Sequence, residues 1–163
     1  MFLPPATPRG RSRRQSGIRE AGAVLPSAGE MLSNLRRTLG DADFAHIDEG
    51  LGWYRSAHSI ARELHEAHPE AVRSVRHGAG LLAALSPQTG WTENIALAWQ
   101  AARSGSADGL PHFDDATSKA SRILRGEDPG EVLGGRKVRS FFANIADPDR
   151  SGAVTVDRHA VDM

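Results

Sequence analysis

The chain has 163 residues, 39% of them hydrophobic but only 6% aromatic, with twenty Lys and Arg against twenty Asp and Glu and no cysteine. That length suits one compact domain plus a tail, since domains commonly run to roughly 100–150 residues, and an apolar content made chiefly of Ala, Leu, Val and Ile favours close-packed helices. Disulfides, thiolate metal sites and iron–sulfur clusters are excluded, no apolar run approaches the ~18–20 residues that span a bilayer, and balanced charge leaves local clustering as the only source of a nucleic-acid surface.

Clustering begins at the N-terminus, where Arg9, Arg11, Arg13, Arg14 and Arg19 face a single acid, Glu20. The surrounding Pro, Gly and Ser cannot bury a core, so residues 1–28 read as a disordered basic arm and residues 29–163 as a helical domain. The arm either holds a phosphate backbone loosely or is upstream sequence translated from a misplaced start codon. No apolar segment of ~7–15 residues follows it, as a targeting peptide requires, and a cytoplasmic location is the expectation.

From Ala28 the pattern is helical, with Met31, Leu32 and Leu35 on one face and Gly40 as a stop. A second helix starts near Asp43 or Ile47 and carries Trp53, Ile60, Leu64 and Ala67 inward, with Arg55, Arg62, Glu63 and Glu66 outward. Pro69 suits the first turn of a third helix carrying Val72 and Val75. The small-residue run Gly78 to Leu85 is apolar all round, which predicts a central, buried segment ended by Pro87.

After a turn at Ser86 to Gly90, the next helix buries Trp91, Ile95, Ala98, Trp99 and Ala102, and Ser104 to Asp115 reads as a loop. A short helix capped by Thr117 or Ser118 carries Ala120, Ile123 and Leu124, and Asp128-Pro129-Gly130 is a turn. Gly134 and Gly135 permit a tight hairpin into a helix with Val138, Phe141, Phe142 and Ile145 inward. An extended piece, Ala153 to Val156, then leads to Asp157 at the head of a last helix. The fold class expected is all-α.

The arrangement with chemical content is Leu133-Gly134-Gly135-Arg136-Lys137-Val138 followed, twenty positions after the lysine, by Asp157 in Val154-Thr155-Val156-Asp157-Arg158-His159-Ala160. Backbone amides freed by a glycine hairpin at a helix N-terminus can hold a DNA phosphate without reading sequence. A neutral lysine amine in a desolvated pocket can attack a sugar C1′ and expel the base. A carboxylate at a helix N-terminus stays ionised and stabilises developing oxocarbenium charge. Taken singly, a surface lysine and a capping aspartate are structural commonplaces; the order and spacing make them candidates. His58, His65, His68 and His77 could suggest metal, but no His-Glu-x-x-His pattern is present and a solvated helix face is the reading taken.

These blocks resemble the endonuclease III branch of the helix-hairpin-helix DNA glycosylase superfamily, whose pattern is a Leu-Pro-Gly-Val-Gly-Arg-Lys hairpin followed by Val-Asp-Thr-His. A second block agrees: Leu81-Leu82-Ala83-Ala84-Leu85-Ser86-Pro87-Gln88-Thr89, then Asn94, is similar to the family's leucine-rich helix ending in Ser-Ala-Gln-Ala-Thr, and Ser118-Lys119-Ala120 looks like its Lys-Ala helix. The resemblance implies Lys137 and Asp157 as catalytic residues of an N-glycosylase or lyase of DNA repair. It implies DNA contacts at Gln88, Gly134, Gly135, Arg136, Arg139 and His159, with Gln88 entering the duplex where a base is flipped out.

The implied partner is double-stranded DNA, with no cofactor, no metal and no membrane, and the implied location is the nucleoid. Leu133 stands in place of the family's first glycine and no Leu-Pro precedes it. The chain ends six residues after Asp157, where the family continues, so a C-terminally shortened domain is expected. The same combination of motifs looks like uncharacterised proteins of actinobacterial phages. The second functional reading is a non-catalytic DNA-binding helical module that uses Arg136, Lys137, Arg139 and the arginine arm for backbone contacts.

Overall fold

A computed structural model describes residues 27–41 and 43–155. The basic arm therefore falls outside the described residues apart from its last two positions, and so do Asp157 and His159. The described residues form seven helices in order: α1 (Ala28–Asp41), α2 (Phe44–Ala67), α3 (Val75–Ala84), α4 (Trp91–Ser104), α5 (Asp114–Leu124), α6 (Pro129–Val132) and α7 (Arg136–Ala146). The described residues contain no strand, and the fold is all-α, as expected.

The architecture is a ring of helices around α3, which packs against α2, α4, α5, α6 and α7. Its composition explains this position. Gly78, Ala79, Gly80, Leu81, Leu82, Ala83 and Ala84 are all buried, and Leu85 just beyond them is fully so. Small side chains on every face let neighbouring backbones come close, while the three leucines supply most of the apolar area. Around them gather Ala57, Ala61 and Leu64 from α2, Leu97, Ala98 and Ala101 from α4, Ile123 from α5, and Phe142 and Ile145 from α7.

Helix starts are where expectation and structure part. The third helix does not begin at Pro69, which lies in a turn; it begins at Val75 behind Ser74, whose hydroxyl accepts the amide of His77. Val72 is buried in that connection, its carbonyl accepting from Nδ1 of His65 at 2.6 Å. The fifth helix starts at Asp114 rather than at Thr117, which sits inside it and donates back to Phe113 and Asp114 carbonyls. Asp114 and Asp115 occupy the first turn, where the helix dipole favours negative charge. Asp128 to Gly130 is more than a turn, because Asp128 caps the single-turn α6 by accepting from the Gly130 amide at 2.7 Å.

The boundary assigned to the arm also shifts. Ser27 and Glu30 form a reciprocal cap, the serine amide and hydroxyl donating to the glutamate at 2.8 and 2.7 Å, so α1 already starts at Ala28. The apolar face expected of α1 is not buried: Leu32 is 48% and Leu35 39% exposed. On α2 the expected stripe holds except at its end, where Ala67 is exposed.

The histidines are not a solvated face. His58 is half-buried and its Nδ1 donates to the Ile145 carbonyl at 2.8 Å, pinning α2 to α7, while the ring of His68 meets the indole of Trp99 edge-on at 5.7 Å. Among the described residues no three metal-ligating side chains gather. No helix there is long and apolar enough to cross a membrane.

Candidate functional site

Three separate segments converge beside α3. The first is the glycine turn into α7. Leu133 is buried and anchors the turn, while Gly134 and Gly135 are exposed. Gly135 has φ +76 and ψ +139, a region open to glycine and closed to side-chain-bearing residues. It offers no side-chain cap to the first turn of α7.

Arg136, Lys137 and Arg139 are exposed along this first turn and a half, while Phe142 and Ile145 face the core. The turn is braced from α3: Arg76 lies over the Phe142 ring at 4.8 Å and grips Asp128 through two hydrogen bonds of 3.0 Å. That grip holds the Asp128 carboxyl below its usual range.

The second segment is the loop after α3. Ser86 donates to the Ala83 carbonyl at 3.0 Å, and Thr89 donates to the Pro87 carbonyl at 3.1 Å. Between them Gln88 is exposed and held at φ +56, a left-handed conformation unusual for a residue with a side chain. The third segment follows α7. Asn144, buried, accepts from Ser151 and donates to Thr155 Oγ1 at 3.2 Å, which fastens the chain around Thr155 onto α7.

These segments share a cavity of about 260 Å³. Its apolar walls are Trp53 and Tyr54 from α2, Trp91 from α4 and Phe141 from α7. The Trp53 ring stands 4.8 Å from that of Trp91 and 5.8 Å from that of Phe141. The polar lining is Ser86, Thr89, Asn94, Lys137 and Thr155. Asn94 is 1% exposed, and its Nδ2 donates to the Leu82 carbonyl at 3.0 Å, while its Oδ1 has no hydrogen-bond partner. A space just under the ~300–1,000 Å³ of drug-sized ligand sites suits a single small ring system, gripped by aromatic faces and oriented by a few polar groups.

Of the residues singled out from the sequence, Lys137 lines this cavity. Gln88 sits in the adjoining loop between two lining residues, and Gly134, Gly135, Arg136 and Arg139 flank it on the surface at the start of α7. Asp157 and His159 lie outside the described residues; the nearest described position, Thr155, is a lining residue. Sequence reasoning assigned Trp91 and Phe141 to the core and gave Asn94 no role beyond a motif match. Periodicity finds the inward face of a helix but not whether that face meets atoms or space. The signal that was there is adjacency, since Trp91 and Asn94 follow directly on the Ser86 to Gly90 loop.

No curated protein and no solved structure matches the chain. A family model does match, over residues 22–163, and the chain belongs to that family, described as a family of unknown function (DUF7178).

Proposed function

We propose that the chain is a helix-hairpin-helix glycosylase-like protein that binds double-stranded DNA and brings a nucleotide to the cavity beside Lys137. The observation that carries this reading is convergence. The Leu81 to Thr89 block, the Gly134 to Lys137 block and the segment leading to Asp157, separate in sequence, each contribute lining to one cavity through Ser86 and Thr89, Lys137, and Thr155.

In this reading the amides of Gly134, Gly135 and Arg136 take a DNA phosphate, Arg139 and His159 add backbone contacts, and Gln88 fills the stack where a base leaves it. The Lys137 amine is the nucleophile, attacking through its nitrogen lone pair. A bond forms from Nζ to C1′ as the glycosidic bond breaks. The base departs with the bonding pair and takes one proton from the amine; the C1′–O4′ bond then breaks, the remaining N–H proton passes to O4′, and a C1′=N Schiff base is left. Asp157 supplies the carboxylate that stabilises positive charge at C1′.

Borohydride trapping on duplexes carrying a panel of damaged and modified bases is the test. A covalent adduct lost in Lys137→Ala is expected; neither adduct nor abasic product from any substrate removes the enzymatic claim.

A second reading, a DNA-binding module without catalysis, is favoured by the exposure of Arg136, Lys137 and Arg139 on one helical turn and a half. Its mark is affinity that ignores base sequence and falls steeply with salt. Asp157→Asn then changes nothing while Lys137→Glu abolishes binding. Absence of binding at low salt removes both readings.

A further inference from the structure

We propose that Asn94 selects what enters the cavity, its Oδ1 accepting a hydrogen bond from an N–H of a flat heterocycle seated against the aromatic wall of Trp53, Trp91 and Phe141. This deepens the reading of the cavity as a nucleobase site and rests on it. Two independent observations meet here. One is the cavity itself, aromatic on several sides and sized for one ring system. The other is a polar side chain, 99% buried, on a residue that lines it, whose oxygen has no hydrogen-bond partner.

The Leu82 carbonyl can only accept, so the amide nitrogen of Asn94 must face it at 3.0 Å and the oxygen is left as the orphan. Buried acceptors without partners are rare in folded proteins because leaving one costs stability. The other buried asparagine shows the ordinary case: Asn144 uses both its atoms, Oδ1 toward Ser151 and Nδ2 toward Thr155.

An acceptor needs a donor. The occupant must therefore bring an amine or ring N–H to the cavity floor, and a ring system with acceptor nitrogens alone leaves Oδ1 unpaired and is refused. The oxygen lies just behind the cavity surface, and the soft terminal torsion of asparagine brings it to the ligand by a turn of roughly a few tens of degrees without disturbing α4. A small water cluster is the competing occupant, and it makes no distinction between heterocycles.

Titration of the ¹⁵N-labelled full chain with matched pairs decides between them. The probes are 9-methyladenine against 9-methylpurine, and 1-methylcytosine against 1-methyl-2-pyrimidinone, each pair differing only in an amino group. The expected result is about tenfold or greater preference for an amine-bearing member, with shifts of the Asn94 side-chain amide and the Trp53 and Trp91 indole resonances. Asn94→Ala removes the preference; if that variant does not fold, the matched pairs on the unaltered chain decide alone.

Equal affinity within both pairs, or binding that leaves the Asn94 resonances unmoved, overturns the assignment. Anisotropy with a labelled duplex is run in parallel. Discrimination among free heterocycles without duplex binding sinks the DNA reading and leaves Asn94 standing; duplex binding without discrimination does the reverse, and neither sinks both.

Discussion

Gly78 of α3 faces the backbone of α2 so closely that a Cβ built on it would stand 2.3 Å from the carbonyl oxygen of Ala61. Backbone cannot rotate aside as a side chain can, so Gly78→Ala must push two helices apart in the middle of the core. A loss of about 1–3 kcal/mol is expected, read as a melting temperature lower by several degrees. Gly80→Ala, whose Cβ would come 2.5 Å from Cβ of Pro129, should cost less because the single-turn α6 can shift. Gly134→Ala, with open space around it and no positive φ, is the near-neutral control. Equal stability of all three variants would refute the packing argument.

The entry to α7 depends on Gly135 and not on Gly134. Alanine at 135 is forced into a backbone region that L residues avoid, at a cost of about 1–3 kcal/mol, whereas Gly134 has ordinary space around it and no positive φ. Denaturant titration of both alanine variants should show a clear drop in midpoint for the first and almost none for the second. On the proposed function both lower duplex affinity, Gly134→Ala by obstructing close approach of a phosphate.

Gln88 is held in a conformation that costs a side-chain-bearing residue about 1–2 kcal/mol. Gln88→Gly relieves that strain and adds roughly 0.5–1 kcal/mol of unfolded-state freedom, so stability should stay level or rise slightly. Chemical denaturation checks this. Duplex binding that falls in a variant at least as stable as the parent assigns the glutamine side chain to DNA rather than to the fold.

Asp128 links the cap of α6 to Arg76, and the pair gives a signed pH dependence. The hydrogen bonds from Arg76 are the main cause of the lowered carboxyl affinity for protons, opposed by burial and aided by the Gly130 amide. The unfolded chain thus protonates first as pH falls. The contribution is complete above the unfolded value near pH ~4 and is lost as pH falls through the lowered folded value. Both side chains are about half exposed, which limits the ion pair to about 1 kcal/mol at most. Asp128→Asn should flatten the acid limb of the stability curve, and Asp128→Ala should cost about 1 kcal/mol more through the lost cap. An unchanged acid limb in the asparagine variant would show that the pair contributes nothing.

How far the sequence could be read depended on the kind of cause at work. The small-residue run of α3 announced a buried centre because no face of it could satisfy water, and the helices of Trp91 and Phe142 followed from their repeat. The false starts at Pro69 and Thr117 came from weighing a residue type by itself, when Ser74 caps the third helix and the fifth begins after Phe113 with no side-chain cap at all. Ser27 and Glu30 carried a legible reciprocal cap that went unread. The cavity was not legible. Its walls come from three helices, and the unsatisfied oxygen of Asn94 is defined by what does not touch it.

Because α3 packs against five other helices, it can lose its hydrogen bonds only when all of them let go. Its amide protons should therefore exchange with solvent more slowly than any others, at the rate of whole-molecule opening, while those of α1, with its exposed leucines, exchange through local fraying. The loop that carries Ser86 and Thr89 leaves directly from that slow-exchanging helix, so one edge of the cavity inherits the rigidity of the most protected part of the chain.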